Sequence, residues 1–529
     1  MSPSARHPIE TWPPSHSDLE CRVVRAGNVR ARCRAAGGAP CMIRPIAGRA
    51  AGGLQNVLPA DDKTGRAALY LLLPAICWYA VLLTGGGGTG LFAPVVYGLN
   101  FNSMLLHLLE GRFDVDPAAI GYEGYLRNGA VYSYFGILPA LLRAPFLFLR
   151  DFAAIDFTRL SCLVAVSLMA LFKLLSALVV WRSAAVPRRS LLLTLFIAAI
   201  LLSGPQIQFL RPSIYQEVLL WGDVFAAAFV LLVLHGWTRQ EGFTTGLMSV
   251  LAAVAGLCLL TRVTTALGLY AALGLIWLWR GWQETRRADN GRAWGKVASL
   301  CLPLLVLAGF AVVTGIVNQQ RWGDPFVFVD LPRGLMVSAP NPNHVNALGD
   351  YGEFNLVRLP FGLLYYFAPV WIFHDSSGQL LWWRFVERTM IDVELPPSSF
   401  LISDPLIVGL AVYGSVRLAR RPRVPFQVPI VLAAFGLVIP IVLMLIAIAM
   451  AFRYRMEFYP LFELCAFIGF WRFLAAPSQS ARIAFGAAAL FSILAAQALW
   501  LLYMLSPFGS AGVRLGQSGI VQFYLSVFH

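Results

Sequence analysis

The chain has 529 residues, of which 58% are hydrophobic and 13% charged, with a formal net charge of +14 and a mean hydropathy of +0.68. This composition excludes an ordinary soluble globular protein, and long apolar runs without strict alternation exclude a transmembrane β-barrel. We therefore predict an all-α polytopic membrane protein. The arginine excess lies mostly in the N-terminal segment and in alternate loops, as the positive-inside rule describes, so the charge does not indicate a nucleic-acid partner.

The N-terminal segment, residues 1–66, is rich in Arg, Pro, Gly and Ser and has no apolar core pattern. This composition predicts a disordered, basic cytoplasmic tail. A membrane domain is predicted at 67–505, followed by a short external C-terminal tail at 506–529.

The membrane domain contains about eleven apolar segments long enough to cross a bilayer as helices, with a range of roughly ten to thirteen. The predicted spans are 67–84, 157–180, 190–208, 217–236, 246–261, 263–279, 297–317, 401–417, 428–451, 457–475 and 483–505.

Two long loops, 85–156 and 318–400, separate these spans, and loops of such length are usually functional. The Pro/Gly-broken apolar stretches 134–149 and 357–373 within them are predicted to be interfacial or re-entrant helices. The short connections WRSAAVPRR, RGWQETRRADNGRAWGK and RLARRPR are strongly basic and share a side with the N-terminus. We therefore predict a cytoplasmic N-terminus and an extracytoplasmic working face, in an inner or plasma membrane of bacterial type.

The first long loop carries a dense group of acids in EGRFDVDPAAIGYEGYLRNG, residues 110–129. The preceding FNSMLLHLLEG has helical apolar spacing and ends at Gly111, which predicts a short amphipathic surface helix. Because Pro117 disfavours helix at Asp116, FDVDP is predicted to be extended, with Asp114 and Asp116 on the same side. Such carboxylates suit a general base, a divalent-cation site, or a turn in which Asp116 caps the next helix.

Four segments occur in order along the membrane domain: GAVYSYFGILPALLRAPF after the first-loop acids, LLTRVTTAL at 259–267, NQQRWGDPF at 318–326 and FRYRMEFYPLF at 452–462. The last three resemble the "TRPT"-like turn, the "N..RFG.P" loop start and the "RYR..YP" helix start of polyprenyl-phosphate-dependent glycosyltransferases of the GT-C class. The resemblance covers residues 67 to about 475 and is closest to mannosyl- and aminoarabinosyltransferases.

The resemblance implies a GT-C-like helical core and an enzyme that transfers a hexosyl or pentosyl group from a polyprenyl-phosphate carrier. The acceptor would be an extracytoplasmic lipid, glycan or protein, and a first-loop carboxylate would deprotonate its hydroxyl, giving inversion. The class commonly has an Asp-Glu pair soon after the first span, where this chain has Asn100 and Asn102. The candidate bases are, in order of preference, Asp114, Asp116 and Glu123.

A lipid-linked phosphate needs cationic partners, and the planar guanidinium group of arginine binds two phosphate oxygens at once. The competing explanation is that arginines at helix ends extend to lipid head groups without a part in catalysis. The candidates for phosphate binding are Arg453, Arg455, Arg211, Arg262 and Arg321.

Three glutamates lie in or beside spans, Glu217, Glu457 and Glu463, and ionisable groups in a membrane are functional candidates by default. Glu463 is the deepest of the three, and Glu217 and Glu457 are further candidates for substrate binding. For Glu457, an ion pair with Arg453 or Arg455 is an equal alternative. His107 is predicted to be an ordinary packing residue.

The residues indicate no certain cofactor and no metal site, although a divalent cation remains open. The expected partners are the lipid-linked donor and membrane lipids, and the oligomeric state is not predicted. A polytopic transporter or flippase, and a non-catalytic assembly factor on the same scaffold, are the competing functions. Few polar residues at the centres of the spans argue against a translocation path.

Overall fold

The computed structural model describes residues 63–85, 90–184, 190–239, 241–287, 299–331, 342–420, 427–475, 477–505 and 517–528. Most of the predicted N-terminal tail, residues 1–62, lies outside these ranges, and so do residues 506–516 of the predicted C-terminal tail.

Helices dominate the described residues, as expected for an all-α membrane protein. In chain order they are α1 (Lys63–Tyr70), α2 (Leu72–Leu83), α3 (Asn100–Leu109), α4 (Pro117–Ile120), α5 (Leu138–Leu141), α6 (Thr158–Ser183), α7 (Ser190–Leu202), α8 (Pro205–Gln208), α9 (Ile214–Thr238), α10 (Thr245–Leu259), α11 (Val263–Arg287), α12 (Cys301–Trp322), α13 (Pro342–Tyr351), α14 (Leu359–Phe367), α15 (Trp383–Thr389), α16 (Phe400–Ser403), α17 (Pro405–Arg420), α18 (Val428–Ile446), α19 (Tyr459–Ala475), α20 (Gln479–Leu505) and α21 (Gln517–Phe528).

Nine stretches of helix within the described residues are long and apolar enough to cross a membrane, and each coincides with a predicted span. They are Gly65–Leu83, Thr158–Ser183, Ser190–Gln208, Ile214–Thr238, Val263–Arg286, Cys301–Trp322, Val428–Ile446, Phe452–Ala475 and Gln479–Leu505.

The other two predicted spans, 246–261 and 401–417, correspond to α10 and α17. These helices have 15 and 16 residues, fewer than the roughly 20 that a membrane-spanning helix needs. The polytopic all-α fold class is therefore confirmed, and the count of about eleven spans is not.

The first loop contains the only antiparallel hairpin among the described residues. Strands β1 (Tyr125–Arg127) and β2 (Ala130–Tyr132) pair in the register Tyr125 with Tyr132 and Leu126 with Val131. The two-residue turn between them has positive φ at Asn128 and Gly129, as a tight hairpin turn requires. The apolar stretch 134–149 is not one helix: it is broken into α5 and a 3-10 turn at Ala144–Phe146.

Short strands and helices attach the second loop to the helix bundle. Strand β3 (Asp392–Val393) pairs in parallel with β4 (Ala449–Met450), which follows α18. The stretch 357–373 contains the short helix α14 and a 3-10 turn at Val370–Ile372. The C-terminal helix α21 packs on this loop, because the hydroxyl of Tyr524 donates to the carbonyl of Leu395 over 2.8 Å. Part of the predicted external tail is therefore a docked helix.

Both long loops lie at the same end of the bundle. Arg127 in the first loop donates through Nη1 to the carbonyl of Arg321 over 2.7 Å. The Tyr125 ring meets the ring of Trp322 edge-on, with centroids 5.7 Å apart. Since α12 ends at Trp322, where the second loop begins, these contacts join the two loops, and we call this end of the bundle the loop end.

Helices α17 and α19 touch through their backbones. A Cβ atom added at Gly414 would lie 2.1 Å from the carbonyl oxygen of Cys465, and one at Gly469 would lie 2.2 Å from that of Leu410. Small residues at a helix contact allow this close approach in membrane proteins. Both helices start at the loop end, so their C-terminal ends lie together at the opposite end of the bundle.

Candidate functional site

Asp114 and Asp116, the first two candidate bases, lie on either side of one histidine. His107 of α3 is buried, with Nδ1 3.1 Å from Asp114 Oδ1 and Nε2 3.5 Å from Asp116 Oδ1. Gly111, with φ +76°, follows α3 and turns the chain back along it. Asp116 stands at the N-cap position of α4, but its carboxylate accepts a hydrogen bond from Ser103 and caps no helix N–H. The predicted helix and the extended segment are both present.

The two aspartates differ in exposure, because the Asp114 side chain is only 21% exposed and that of Asp116 faces solvent. Arg112 Nη1 lies 3.1 Å from Asp114 Oδ2, and Nη2 of the same guanidinium lies 2.8 Å from Glu110 Oε2. The Asp116 side chain is 63% exposed. Asp114 and Asp116 therefore belong to a polar surface cluster with His107 and Arg112.

Glu123, the third candidate base, lies beside two tyrosines. The hydroxyl of Tyr134 donates to Glu123 Oε2 over 3.5 Å, and the hydroxyl of Tyr215 at the start of α9 interacts with the same carboxylate. Burial, and then the negative charge of Glu123, raise the pKa of Tyr134 well above its ordinary value. The Tyr134 hydroxyl therefore keeps its proton and acts as a hydrogen-bond donor to Glu123.

Arg453 lies against the ring of the same Tyr215. Its guanidinium carbon is 4.4 Å from the ring centroid, and Nη1 is 2.7 Å from Oε1 of Glu394. Glu394 also accepts a hydrogen bond from the backbone N–H of Phe452 over 2.7 Å. Tyr215 thus contacts Glu123 through its hydroxyl and Arg453 through its ring. We call Glu123, Tyr215, Glu394 and Arg453 the Tyr215 cluster.

Arg211, in the turn between α8 and α9, lies next to this cluster. Its guanidinium carbon is 4.9 Å from the ring centroid of Tyr503, and it hydrogen-bonds the Tyr503 hydroxyl. Tyr503 also interacts electrostatically with Glu394 and Arg453. Two of the candidate arginines, Arg211 and Arg453, are therefore brought together.

Arg455, two residues after Arg453 in the chain, is buried. It has 0% relative exposure, and its guanidinium lies between the rings of Phe400 and Phe452, 4.4 Å and 5.1 Å from their centroids. None of its three guanidinium nitrogens has a hydrogen-bond partner among the described residues. The hydroxyls of Tyr365 and Tyr366, which interact electrostatically with Arg455, also lack partners there. Buried polar groups are normally paired, so this group of donors is suited to an anion.

Glu457 forms an ion pair, but its partner is Arg262 and not Arg453 or Arg455. Arg262 Nε lies 2.7 Å from Glu457 Oε1. The hydroxyls of Thr264 and Thr265 donate to the two oxygens of the same carboxylate, each over 2.6 Å. Burial would lower the pKa of Arg262, but the Glu457 carboxylate raises it above its ordinary value, which keeps the guanidinium charged. The pair ties α19 to the turn between α10 and α11.

Glu217 and Arg321 hold the first loop to the bundle. Glu217 Oε2 lies 2.8 Å from Nη2 of Arg143 in the first loop, and both side chains are buried. Arg321 donates through Nη1 to the carbonyl of Phe135 over 2.8 Å. These contacts are internal ones, so the structure brings neither residue into the Tyr215 cluster.

A cavity opens between the first loop and the turn at Arg262. Its lining includes Tyr134, Arg262, Asn318 and Arg321. Tyr134 connects this cavity to Glu123. Among the described residues, no group of three or more His, Cys, Asp or Glu side chains is arranged to hold a metal ion.

Sequence reasoning missed several residues of this region. His107 is central to the aspartate cluster, and its position seven residues before Asp114 gave no recognisable spacing. The sequence pattern does not identify Glu394 or Tyr215 as candidates. The available signals are the excess of acids over arginines in the second loop, which contains Glu394, and the segment FLRPSIYQE, which contains Tyr215. Arg143 lies within the apolar stretch 134–149, where no sequence pattern marks it as the partner of Glu217.

Comparison with known proteins gives weak structural neighbours. No protein-family model matches the sequence, and no curated protein matches it. Among solved structures, the oligosaccharyltransferase AglB from Archaeoglobus fulgidus, in complex with an inhibitory peptide and a dolichol-phosphate, has 15% sequence identity and a TM-score of 0.43. The match covers 87% of this chain and 59% of that protein. The apo form of the Archaeoglobus fulgidus oligosaccharyltransferase gives 15% identity and a TM-score of 0.42, over 84% of this chain and 58% of that protein.

This chain therefore spans less than two thirds of the length of these neighbours. A further structure of the Archaeoglobus fulgidus oligosaccharyltransferase, in complex with Zn and sulfate, has a TM-score of 0.40. With TM-scores below 0.5, these likenesses assign no function to this chain.

Proposed function

We propose that this protein is a membrane glycosyltransferase that moves a sugar from a polyprenyl-phosphate carrier to a hydroxyl acceptor at the loop end. The observation that carries the proposal is the Tyr215 cluster, in which Glu123 contacts the hydroxyl of Tyr215 and Arg453 contacts its ring. An inverting transfer needs a proton acceptor for the incoming hydroxyl and a cation for the departing phosphate.

Glu123 is the general base in this proposal. Its carboxylate takes the proton of the acceptor hydroxyl while the hydroxyl oxygen attacks the anomeric carbon from the face opposite the carrier. The bond between the anomeric carbon and the phosphate oxygen breaks, and the phosphate leaves with the bonding electron pair. Hydrogen bonds from Tyr134 and Tyr215 orient the carboxylate.

Arg453 and Arg211 bind the departing phosphate. Arginine has five N–H donors, and the ion pair with Glu394 uses Nη1 of Arg453. The buried donors around Arg455, with the hydroxyls of Tyr365 and Tyr366, supply a deeper anion contact. Arg262, Glu457, Arg321 and Glu217 position the loops around this site through the contacts described above.

The preference for Glu123 over Asp114 and Asp116 has a physical reason. A base must reach the hydroxyl while the phosphate contacts arginine, and Glu123 shares Tyr215 with Arg453. Asp114 and Asp116 instead contact His107 and, for Asp114, Arg112. The sequence-based order of Asp114, Asp116 and Glu123 stays a prediction, so the assays include a variant of each of these three residues.

The remaining assignments follow the same proposal. The loop end is extracytoplasmic in an inner or plasma membrane, with the N-terminus cytoplasmic. The donor carries a hexosyl or pentosyl group, and the acceptor is a lipid, a glycan or a protein. Transfer measured with EDTA and with added magnesium decides whether a divalent cation takes part.

The experiment reconstitutes the purified protein in liposomes with a panel of radiolabelled polyprenyl-phosphate sugars and membrane lipid. We expect the label to appear in an acceptor, and NMR of the product to show the anomeric configuration opposite to that of the donor. Label that crosses the bilayer without covalent transfer would show that the protein is a transporter. If no donor in the panel gave either transfer or flux, the result would contradict both the glycosyltransferase and the transporter function.

A further inference from the structure

The cavity between the first loop and the turn at Arg262 takes no part in the proposed transfer step. Its volume is about 130 Å³, and it is lined by residues of the first loop, α9, the α10–α11 turn, α12 and the start of the second loop. One liquid water molecule occupies about 30 Å³, so the cavity holds a small group such as a carboxylate or a phosphate and not a whole glycan.

The lining of this cavity is cationic. It contains Arg262 and Arg321, and none of the described lining residues carries a carboxylate. An anion therefore matches the charge of the lining. The other polar side chains there are those of Tyr134, Thr261, Thr264, Thr314 and Asn318.

Arg262 is fixed by contacts that use only one of its three guanidinium nitrogens. Nε pairs with Glu457, and the guanidinium carbon lies 5.3 Å from the ring centroid of Tyr454. The side chain is 18% exposed, and Nη1 and Nη2 have no hydrogen-bond partner among the described residues. An aromatic face holds a guanidinium without using its N–H groups, so those of Nη1 and Nη2 can bind an anion in the cavity.

Arg321 adds a second cation with an unsatisfied donor. It is 3% exposed, Nη1 donates to the carbonyl of Phe135, and Nη2 lies 3.5 Å from Sδ of Met104. Nε is buried and has no hydrogen-bond partner among the described residues. Buried donors are normally paired, so an unpaired donor on a residue that lines a cationic cavity indicates a ligand.

The cavity adjoins the proposed base. Tyr134 lines it, and the hydroxyl of Tyr134 donates to Glu123. In an inverting transfer the acceptor approaches from the side of the base, opposite the departing phosphate. A group of the acceptor that lies near the reacting hydroxyl therefore reaches the cavity.

We propose that this cavity binds an anionic group of the acceptor, a carboxylate or a phosphate close to the hydroxyl that receives the sugar. Arg262 binds the anion through Nη1 and Nη2, and Arg321 contributes Nε. The inference rests on the proposed function, and it narrows the acceptor to molecules that carry a negative charge beside the reacting hydroxyl.

The first test measures binding without transfer. Saturation-transfer NMR on the purified protein compares methyl glucuronide and glucose 6-phosphate with neutral methyl glucoside. Saturating farnesyl phosphate is present throughout and occupies the arginines that bind the departing phosphate. We expect at least one anionic sugar to bind about tenfold more tightly than the neutral one, the effect of a hydrogen bond to a charged group, and the tighter of the two identifies the anion. Equal binding of all three sugars, or displacement of the anionic sugars by farnesyl phosphate, would overturn the proposal.

The second test removes the donors of Arg262 and keeps the fold. Arg262→Lys keeps a cation for the Glu457 pair but lacks Nη1 and Nη2, and Arg262→Gln/Glu457→Gln leaves no unpaired charge. Both variants should bind the anionic sugar about 10- to 100-fold more weakly and still bind farnesyl phosphate. Arg453→Gln should do the reverse, and Arg150→Gln, at an exposed arginine of the first loop, should bind both ligands normally.

Unchanged binding of the anionic sugar by both Arg262 variants, or its loss in Arg453→Gln, would contradict the assignment of this cavity. A parent protein that binds the anionic sugar through Arg262 but does not bind farnesyl phosphate would contradict the proposed function and leave the anion site in place.

Discussion

Two buried ion pairs of this protein differ in what surrounds them. Lys173 of α6 lies 2.5 Å from Glu463 of α19, and both side chains are at most 9% exposed within the bundle. Gln206 also accepts a hydrogen bond from Lys173 over 3.3 Å. The pair between Arg453 and Glu394 lies at the loop end, is slightly more exposed, and touches Tyr215.

The comparison separates charges that hold the fold from charges that can act on a ligand. The partners of Lys173 all come from helices or helical turns of the bundle, so its donors are taken up by the protein itself. Arg453 is held by residues from a loop and from a helix start, beside a carboxylate that is not its ion-pair partner. We therefore expect changes at Lys173 to affect stability and changes around Tyr215 to affect transfer.

The largest effect is expected from breaking the interior pair. Lys173→Met leaves the Glu463 carboxylate buried without a cation, which typically costs about 3–5 kcal/mol of unfolding free energy. The measurement is thermal or denaturant unfolding in detergent. The double variant Lys173→Met/Glu463→Met should recover much of the loss, because it leaves no unpaired charge. A single variant as stable as the parent would contradict the structural role of the pair.

A smaller but selective effect is expected at Arg453. Arg453→Gln should raise the KM for the donor about 10- to 100-fold, the range for losing a hydrogen bond to a charged group. Arg453→Lys keeps the charge but not the planar fork, so it should restore part of the affinity. If both variants changed only stability and left the donor KM unchanged, Arg453 would be a structural residue like Lys173.

The tyrosine between the two charges should contribute less. Tyr215→Phe removes the hydroxyl that contacts Glu123 and keeps the ring under Arg453. We expect kcat to fall about fivefold, equivalent to about 1 kcal/mol, with donor KM unchanged. Tyr503→Phe is the comparison variant, because its hydroxyl contacts Arg211, a proposed phosphate ligand, and not the proposed base Glu123. A change in KM without a change in kcat would place Tyr215 in donor binding instead.

The smallest effect is expected in the surface cluster of the first loop. Asp114→Asn disturbs contacts with His107 and Arg112 that are partly exposed to solvent, and such contacts are weak. Transfer should change less than about twofold. A loss of two orders of magnitude would show that the sequence-based preference for Asp114 as the base is right.

The sequence predicted what depends on local pattern. Long apolar runs predicted the nine helices of membrane-spanning length in the described residues, and Gly111 predicted the turn after α3, because hydrophobicity and backbone conformation are properties of short segments. The sequence also favoured an ion pair for Glu457 but assigned the wrong partner. Arg262 lies 195 residues away along the chain, and only the packing of α19 against the α10–α11 turn brings it close.

The same dependence on packing between distant segments explains why the residues of the site could not be predicted from the sequence. Glu123 ranked last among the bases because its own segment shows nothing unusual, and its two tyrosines come from different elements. Glu394 belongs to a loop whose position is fixed by the short pairing of β3 with β4. The two helices α10 and α17 were predicted as spans because their segments are apolar, although they have only 15 and 16 residues.

Single-turnover transfer by Glu123→Gln at saturating donor tests the central claim most directly. The parent protein, Asp114→Asn, Asp116→Asn and Glu110→Gln run alongside it, the last being the same substitution at an exposed glutamate of the same loop. We predict that Glu123→Gln binds donor normally and transfers about 10²- to 10⁴-fold more slowly, the contribution expected of a general base, while Glu110→Gln transfers at the parent rate. Equal rates for Glu123→Gln and Glu110→Gln would contradict the account.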